Sequence, residues 1–144
     1  MILKNNFLRT VLLFIGFALS NVVMLSSCGG GGDDSPPPPN EANLAVTTDP
    51  ADGTVQPPAL GPYNLKVTIT SAMPPNGVKI EISAKKDDGS NTVFFSTSVN
   101  RTASVSDFTI TGTPAATQCL VETKVTSLTK PSNQWSGSYR YSSK

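Results

Sequence analysis

Two stretches in the middle of the chain alternate residue by residue between apolar and polar side chains. Tyr63, Leu65, Val67 and Ile69 alternate with Asn64, Lys66, Thr68 and Thr70, and Val78, Ile80, Ile82 and Ala84 alternate with Lys79, Glu81, Ser83 and Lys85. A period of two puts successive side chains on opposite faces of an extended chain, so each stretch has one face for a core and one for water. The same spacing returns in Val93, Phe95, Thr97 and Val99, in Phe108 and Ile110, in Cys119, Val121, Thr123 and Val125, and in Trp135, Tyr139 and Tyr141. Turn-forming clusters separate these runs: Pro74-Pro75-Asn76-Gly77, Asp87-Asp88-Gly89-Ser90, Asn100-Arg101, Gly112-Thr113-Pro114 and Lys130-Pro131-Ser132-Asn133. With a first strand near Leu44 to Thr48, the pattern predicts seven short strands, and no window sustains a 3.6-residue apolar period. The expectation is an all-β fold, a single seven-stranded antiparallel sandwich over residues 44–144, a length that supports one core and not two. Val105 falls out of phase with Phe108 and Ile110, which predicts a bulge or a strand that begins only at Ser106.

The start of the chain has a different logic. Lys4 and Arg9 form a positive segment, Val11 to Leu19 an apolar one, and Ser26 and Ser27 are small residues at a cleavage position, the tripartite layout of a secretory signal. Thr10 to Ser27 falls short of the about 20 apolar residues that a membrane span needs, and Ser20 and Asn21 interrupt it. Leu25-Ser26-Ser27-Cys28 resembles the lipobox of bacterial lipoproteins. That resemblance implies removal of residues 1–27 as a signal peptide, a diacylglyceryl group on the thiol of Cys28 and acylation of its new amine. Two or more acyl chains hold a protein stably at a bilayer because each buried methylene contributes about 0.8 kcal/mol. The expected protein is therefore anchored to a membrane through lipid rather than spanning it.

Residues 28–43 read as a tether. Gly29 to Gly32, Asp33, Asp34, Ser35 and Pro36 to Pro39 supply no apolar residue that could seed a core. Glycines make a flexible joint, and the prolines favour polyproline II, a short stiff spacer at about 3.1 Å per residue. The expectation is a disordered linker that holds the folded part away from the membrane. Asp33 and Asp34 near the lipidated Cys are similar to the acidic export signals of surface lipoproteins in Bacteroidetes-type bacteria, although here four glycines intervene. The implied location is the cell envelope, at the outer membrane, with display on the cell surface as one orientation.

Thr48-Asp49-Pro50-Ala51-Asp52-Gly53 resembles the opening of immunoglobulin-like domains of bacterial surface proteins, in which an apolar first strand runs into a Pro-Ala-Asp-Gly turn. The departures are specific. Cys119 lacks a pairing Cys on an earlier strand, Ile80 and Ile82 stand where an antibody-type domain places its core Trp, and Thr117 is not the tyrosine of a tyrosine corner. The resemblance therefore implies a fibronectin-III-like or bacterial Ig-like sandwich rather than an antibody-type one.

Charge and reactive residues narrow the function. Of 11 basic residues, Lys4 and Arg9 leave with the signal, so 9 face 10 acidic ones, a formal charge of −1. Neither that balance nor any Lys/Arg cluster provides the cationic surface that displaces phosphate counterions, so a nucleic-acid partner is not expected. Lys85-Lys86-Asp87-Asp88 reads as a solvated turn. The chain has no His, which removes His-based triads and His-containing zinc sites. Asp49 with Asp52 and Asp87 with Asp88 lie in predicted turns, where Asp caps its own backbone. No catalytic residue, metal ligand or cofactor is expected, and Cys119 reads as a small buried residue on a strand.

One row could carry binding. Trp135, Tyr139 and Tyr141 share a parity on the last strand with Gly137 between them, so they either close the core, with Gly137 relieving crowding, or form a platform for sugar rings. Asn133, Gln134 and Arg140 are the nearest polar candidates in the second case. The functional expectation is a lipid-anchored, non-catalytic envelope module for adhesion, assembly or accessory binding to a surface protein or glycan. The alternative is a carbohydrate-binding module of a surface glycan-utilisation system.

Overall fold

The computed structural model describes residues 40–144. The expected signal peptide 1–27, the lipid-bearing Cys28 and the tether up to Pro39 lie outside the described residues.

Seven strands form two antiparallel sheets: β1 (Val46–Asp49), β2 (Tyr63–Ile69), β3 (Val78–Lys86), β4 (Val93–Arg101), β5 (Val105–Ile110), β6 (Gln118–Ser127) and β7 (Gln134–Ser142). One sheet has the order β1-β2-β5 and the other β4-β3-β6-β7. The described residues contain no helix. The fold is the all-β sandwich that the alternation predicts. β4 pairs with β3, whereas the constant-type antibody sandwich places its fourth strand beside the fifth.

The core is made by the alternating residues themselves. Leu65, Val67 and Ile69 of β2, Val78, Ile80, Ile82 and Ala84 of β3, and Cys119, Val121 and Val125 of β6 are all buried. They interdigitate between the sheets, and full burial of each Val, Leu or Ile side chain contributes about 1.5–3 kcal/mol. Gly77 closes the turn into β3 with φ of +80°, and a Cβ there would stand 3.1 Å from the carbonyl carbon of Arg101, so only glycine fits.

Asn100 and Arg101, expected as a turn, are the last residues of β4, paired with Lys79 and Val78, and two further details differ from the expected pattern. Val105 pairs with Thr68 in an unbroken β2–β5 register and its side chain is exposed on the outer face, so β5 has neither a bulge nor a start at Ser106. The irregularity lies in β4 instead: Ala84 pairs with Phe95 and Lys85 with Val93, so Phe94 is skipped and Val93 turns to solvent.

The turn-forming motif after β1 moves the chain between sheets. Thr48 and Asp49 belong to the three-stranded sheet, but Gly53, at φ of +75°, already donates its N–H to Ser138 O of β7 at 2.7 Å. From there Thr54 to Ala59 runs beside the outer edge of β7. Arg140 N–H donates to Thr54 O (2.9 Å), Gln56 N–H to Arg140 O (2.8 Å), and Ala59 N–H to Ser142 O (3.1 Å). Pro57 and Pro58 lie in this segment because an edge tolerates residues that cannot donate.

Order also begins before Leu44. Glu41 and Ala42, which the sequence reading puts in the tether, are held by the β6–β7 turn. Asn133 is buried; its Nδ2 donates to Glu41 Oε1 and Ala42 O, and its Oδ1 accepts from the Leu44 N–H at 2.8 Å. Ser127 Oγ donates to Glu41 Oε2 at 3.0 Å. The chain thus joins the sandwich at the end that carries the β2–β3 and β6–β7 turns, called here the near end. The β3–β4 turn, the β5–β6 loop and Ala59, beside Lys144, mark the far end. The nine residues of β7 separate the two by about 30 Å.

Candidate functional site

The aromatic row of β7 faces inward. Trp135 lies opposite Val125, Gly137 opposite Thr123, Tyr139 opposite Val121 and Tyr141 opposite Cys119, and all four partners on β6 are buried. Tyr139 and Tyr141 are 4% and 3% exposed and belong to the core, while Trp135 is half-buried against it. A Cβ on Gly137 would lie 2.6 Å from Cζ2 of the Trp135 indole, so the glycine makes room for that ring. The three residues therefore do not form an open sugar-stacking platform, because their ring faces are spent on the interior.

The polar residues considered beside that row are also committed. Asn133 holds the residues before β1. Arg140 points outward and donates through Nε to Asp87 Oδ2 at 2.7 Å. Asp88 accepts from the N–H and Oγ of Ser90 at 2.9 and 2.6 Å, and these hydrogen bonds hold its carboxyl below the usual range. Lys85 pairs with Glu122 at 3.0 Å across the sheet. The expected turn over Lys85 to Asp88 is corrected: Lys85 and Lys86 end strand β3, opposite Leu120 and Cys119 of β6, and only Asp87 and Asp88 stand in the turn. Cys119 is free and fully buried, and burial pushes its thiol up.

The sandwich offers two polar concavities on its outer faces. On the four-stranded sheet a trough of about 570 Å³ has serines on its floor, among them Ser83, Ser96, Ser98 and Ser138, with Glu81, Glu122 and Lys124 around them. Asp52 stands at its rim and accepts from Ser138 N–H at 2.6 Å. On the three-stranded sheet a second concavity of about 540 Å³ lies along the Asp49, Lys66 and Asp107 row. No group of three or more His, Cys, Asp or Glu side chains that could hold a metal ion occurs among the described residues. Both concavities lie on solvated sheet faces, and on the four-stranded sheet the serines leave the hollow.

The far end has a different character. Val55 and Leu60 are 65% and 75% exposed, and Pro57, Pro58 and Ala59 between them are exposed as well. An apolar ridge therefore stands in water on a backbone pinned to β7 by hydrogen bonds. Sequence patterning does not reveal it, because Pro57-Pro58 reads as a loop and the residues do not alternate. The one signal present is composition: Val55-Gln56-Pro57-Pro58-Ala59-Leu60 is the only apolar-rich stretch between predicted strands that lacks a charged residue and is not part of a turn cluster.

No family model and no curated protein matches this sequence. Among solved structures, the crystal structure of CopC from Methylosinus trichosporium OB3b aligns with 72% of this chain and 93% of its own at 12% identity, with a TM-score of 0.46. Nothing of that protein's chemistry carries over at such a likeness.

Proposed function

We propose that this chain is a non-catalytic module of the bacterial cell envelope, anchored through lipid on Cys28, which binds an external partner through the far end of its sandwich in adhesion, assembly or an accessory role. The observation that carries the reading is the placement of the Val55–Leu60 ridge. The chain joins the sandwich at the near end through Glu41, Asn133 and Ser127, and the ridge, beside Arg140 to Ser143, stands toward the opposite end, about 20–30 Å away along β7. Exposed apolar patches rimmed by polar residues mark interaction sites, and a backbone already held by hydrogen bonds leaves little ordering cost for binding. The lack of His in the chain and the engagement of Asp52 with a backbone N–H, Asp87 with the Arg140 guanidinium and Asp88 within its turn support the non-catalytic part.

Two measurements test it. Cys28→Ala should abolish acyl labelling and release the chain from the membrane fraction; unchanged fractionation refutes the anchor. A photo-crosslinking residue at position 60 should capture a partner on intact cells, while the same residue at position 128, an exposed apolar site at the near end, should not. Equal capture from both positions refutes far-end binding.

A further inference from the structure

Strand β4 closes one side of the four-stranded sheet with part of its main chain open. The N–H and C=O groups of a strand point alternately to the neighbour on each side. Gly77 O accepts from Leu128 N–H and Asp87 N–H donates to Gln118 O, both toward β6, whereas Lys86 N–H donates to Thr92 O, toward β4. The even-numbered residues of β3 therefore address β4. Opposite them stand Arg101, Val99, Thr97 and Phe95, so these four turn their main-chain groups to β3. Ser96, Ser98 and Asn100 direct theirs away from the sheet, and none of those groups has a main-chain partner among the described residues. The Asn100 carbonyl takes only the guanidinium of the neighbouring Arg101, at 3.2 Å.

The fold treats its two lateral margins differently. Beside β7 the main chain is covered by Thr54 to Ala59, with Pro57 and Pro58 in that cover. β4 has neither proline nor charge from Val93 to Asn100, and its Val, Phe, Thr and Ser content favours pairing. The skipped Phe94 marks where the bare margin starts, because the β5–β6 connection closes on it: a Cβ on Gly112 would lie 3.4 Å from Phe94 O. Phe95 to Arg101 is the part left regular and open.

That segment matches itself in one antiparallel register. With Ser98 opposite its own copy, Ser96 falls opposite Asn100, and every outward N–H and C=O of the three residues meets a partner. A register centred on Thr97 would call on the covered Phe94 and leave Asn100 without a mate. In the first register Thr97 meets Val99 and Arg101 meets Phe95. The one charge of the segment thus lies against an aromatic ring, and no like charges oppose each other.

We propose that the open margin of β4 binds a second copy of this chain, β4 antiparallel to β4 about a twofold axis at Ser98. The two four-stranded sheets then run on as one of eight. A strand of another protein would meet the same bare groups, but the self-match in hydrogen bonds and charge makes the copy the occupant. One strand pair buries well under the about 1,600 Å² of a standard interface, so the pair forms as concentration rises. It does not depend on the far-end reading, since β4 is a lateral margin.

Thiol crosslinking and sedimentation test it on the full chain in detergent. Paired Ser98 Cα atoms would stand about 5.5 Å apart, inside disulfide range. Under mild oxidation Ser98→Cys should therefore link into a dimer about tenfold faster than Ser96→Cys, whose copies would lie about 13 Å apart, or than Ser136→Cys, exposed on β7. In sedimentation equilibrium the native chain should pass from monomer to dimer with rising concentration. Ser98→Lys sets two cations face to face at an exposed position and should weaken that dimer about tenfold or more at an unchanged thermal midpoint. Three outcomes overturn the proposal: a native chain that stays monomeric at every concentration, a dimer undiminished in Ser98→Lys, or crosslinking no faster at position 98 than at position 96. Should the Lys variant lose its fold, the near-isosteric Cys variants decide the matter.

Discussion

Tyr139 illustrates how one atom can set a stability profile. Its phenol is ordinary in the unfolded chain, near 10, and is pushed up to about 12 by burial in the fold. Below pH 10 both states keep the proton and the group adds no pH dependence. Between pH 10 and 12 the unfolded chain ionises while the folded one does not, so stability falls as pH rises, by about 2–3 kcal/mol in all from this residue. Urea unfolding at pH 9 and at pH 11.5 should therefore show a large loss in the native chain and a smaller one in Tyr139→Phe. Burial raises Tyr141 as well, against the opposing hydrogen bond from Thr113, so part of the alkaline loss should survive in that variant. The shared parity of Trp135, Tyr139 and Tyr141 is legible from spacing alone. Which face they occupy is not, because that depends on the register placing Val121 and Cys119 opposite them, and register is a tertiary fact.

At the scale of elements, strands with one buried face announce themselves and segments held only by backbone do not. β2, β3 and β6 were readable because each apolar side chain on one parity is a core residue. Thr54 to Ala59 was not, since its link to β7 is a long-range parallel contact made by main-chain groups that no side-chain pattern records. Phe94 escaped for a related reason: a skipped residue shifts parity within a strand whose composition stays the same. The role of the edge segment can be measured. Gln56→Pro deletes the N–H that reaches Arg140 O, and should cost about 1–2 kcal/mol. Hydrogen exchange at the Arg140 amide, which donates to Thr54 O, should accelerate in that variant while the amides of β3 keep their relative protection; unchanged exchange at Arg140 would show that the segment does not guard the edge.

The molecule as a whole is organised by where its ends are tied. Glu41 in the sequence looks like one more polar residue of a low-complexity stretch, and Asn133 like a turn residue; their meeting across 92 positions is what sets the start of the folded part. Asn133→Ala leaves the Leu44 N–H without its partner and the Glu41 carboxylate with Ser127 alone, which should cost about 1–3 kcal/mol. Limited proteolysis should then cut within residues 40–45 faster than in the native chain; an unaltered rate would mean that Ser127 alone secures the segment. The covering of β7 has a further consequence for how copies of this chain can associate. Residues 53–59 occupy one margin of the four-stranded sheet, and β4 is its other margin, hydrogen-bonded only to β3. Growth by adding sheet to sheet needs two live margins per unit. With one spent, any association through this sheet stops at a pair, and crowding cannot zip these modules into a fibre along it.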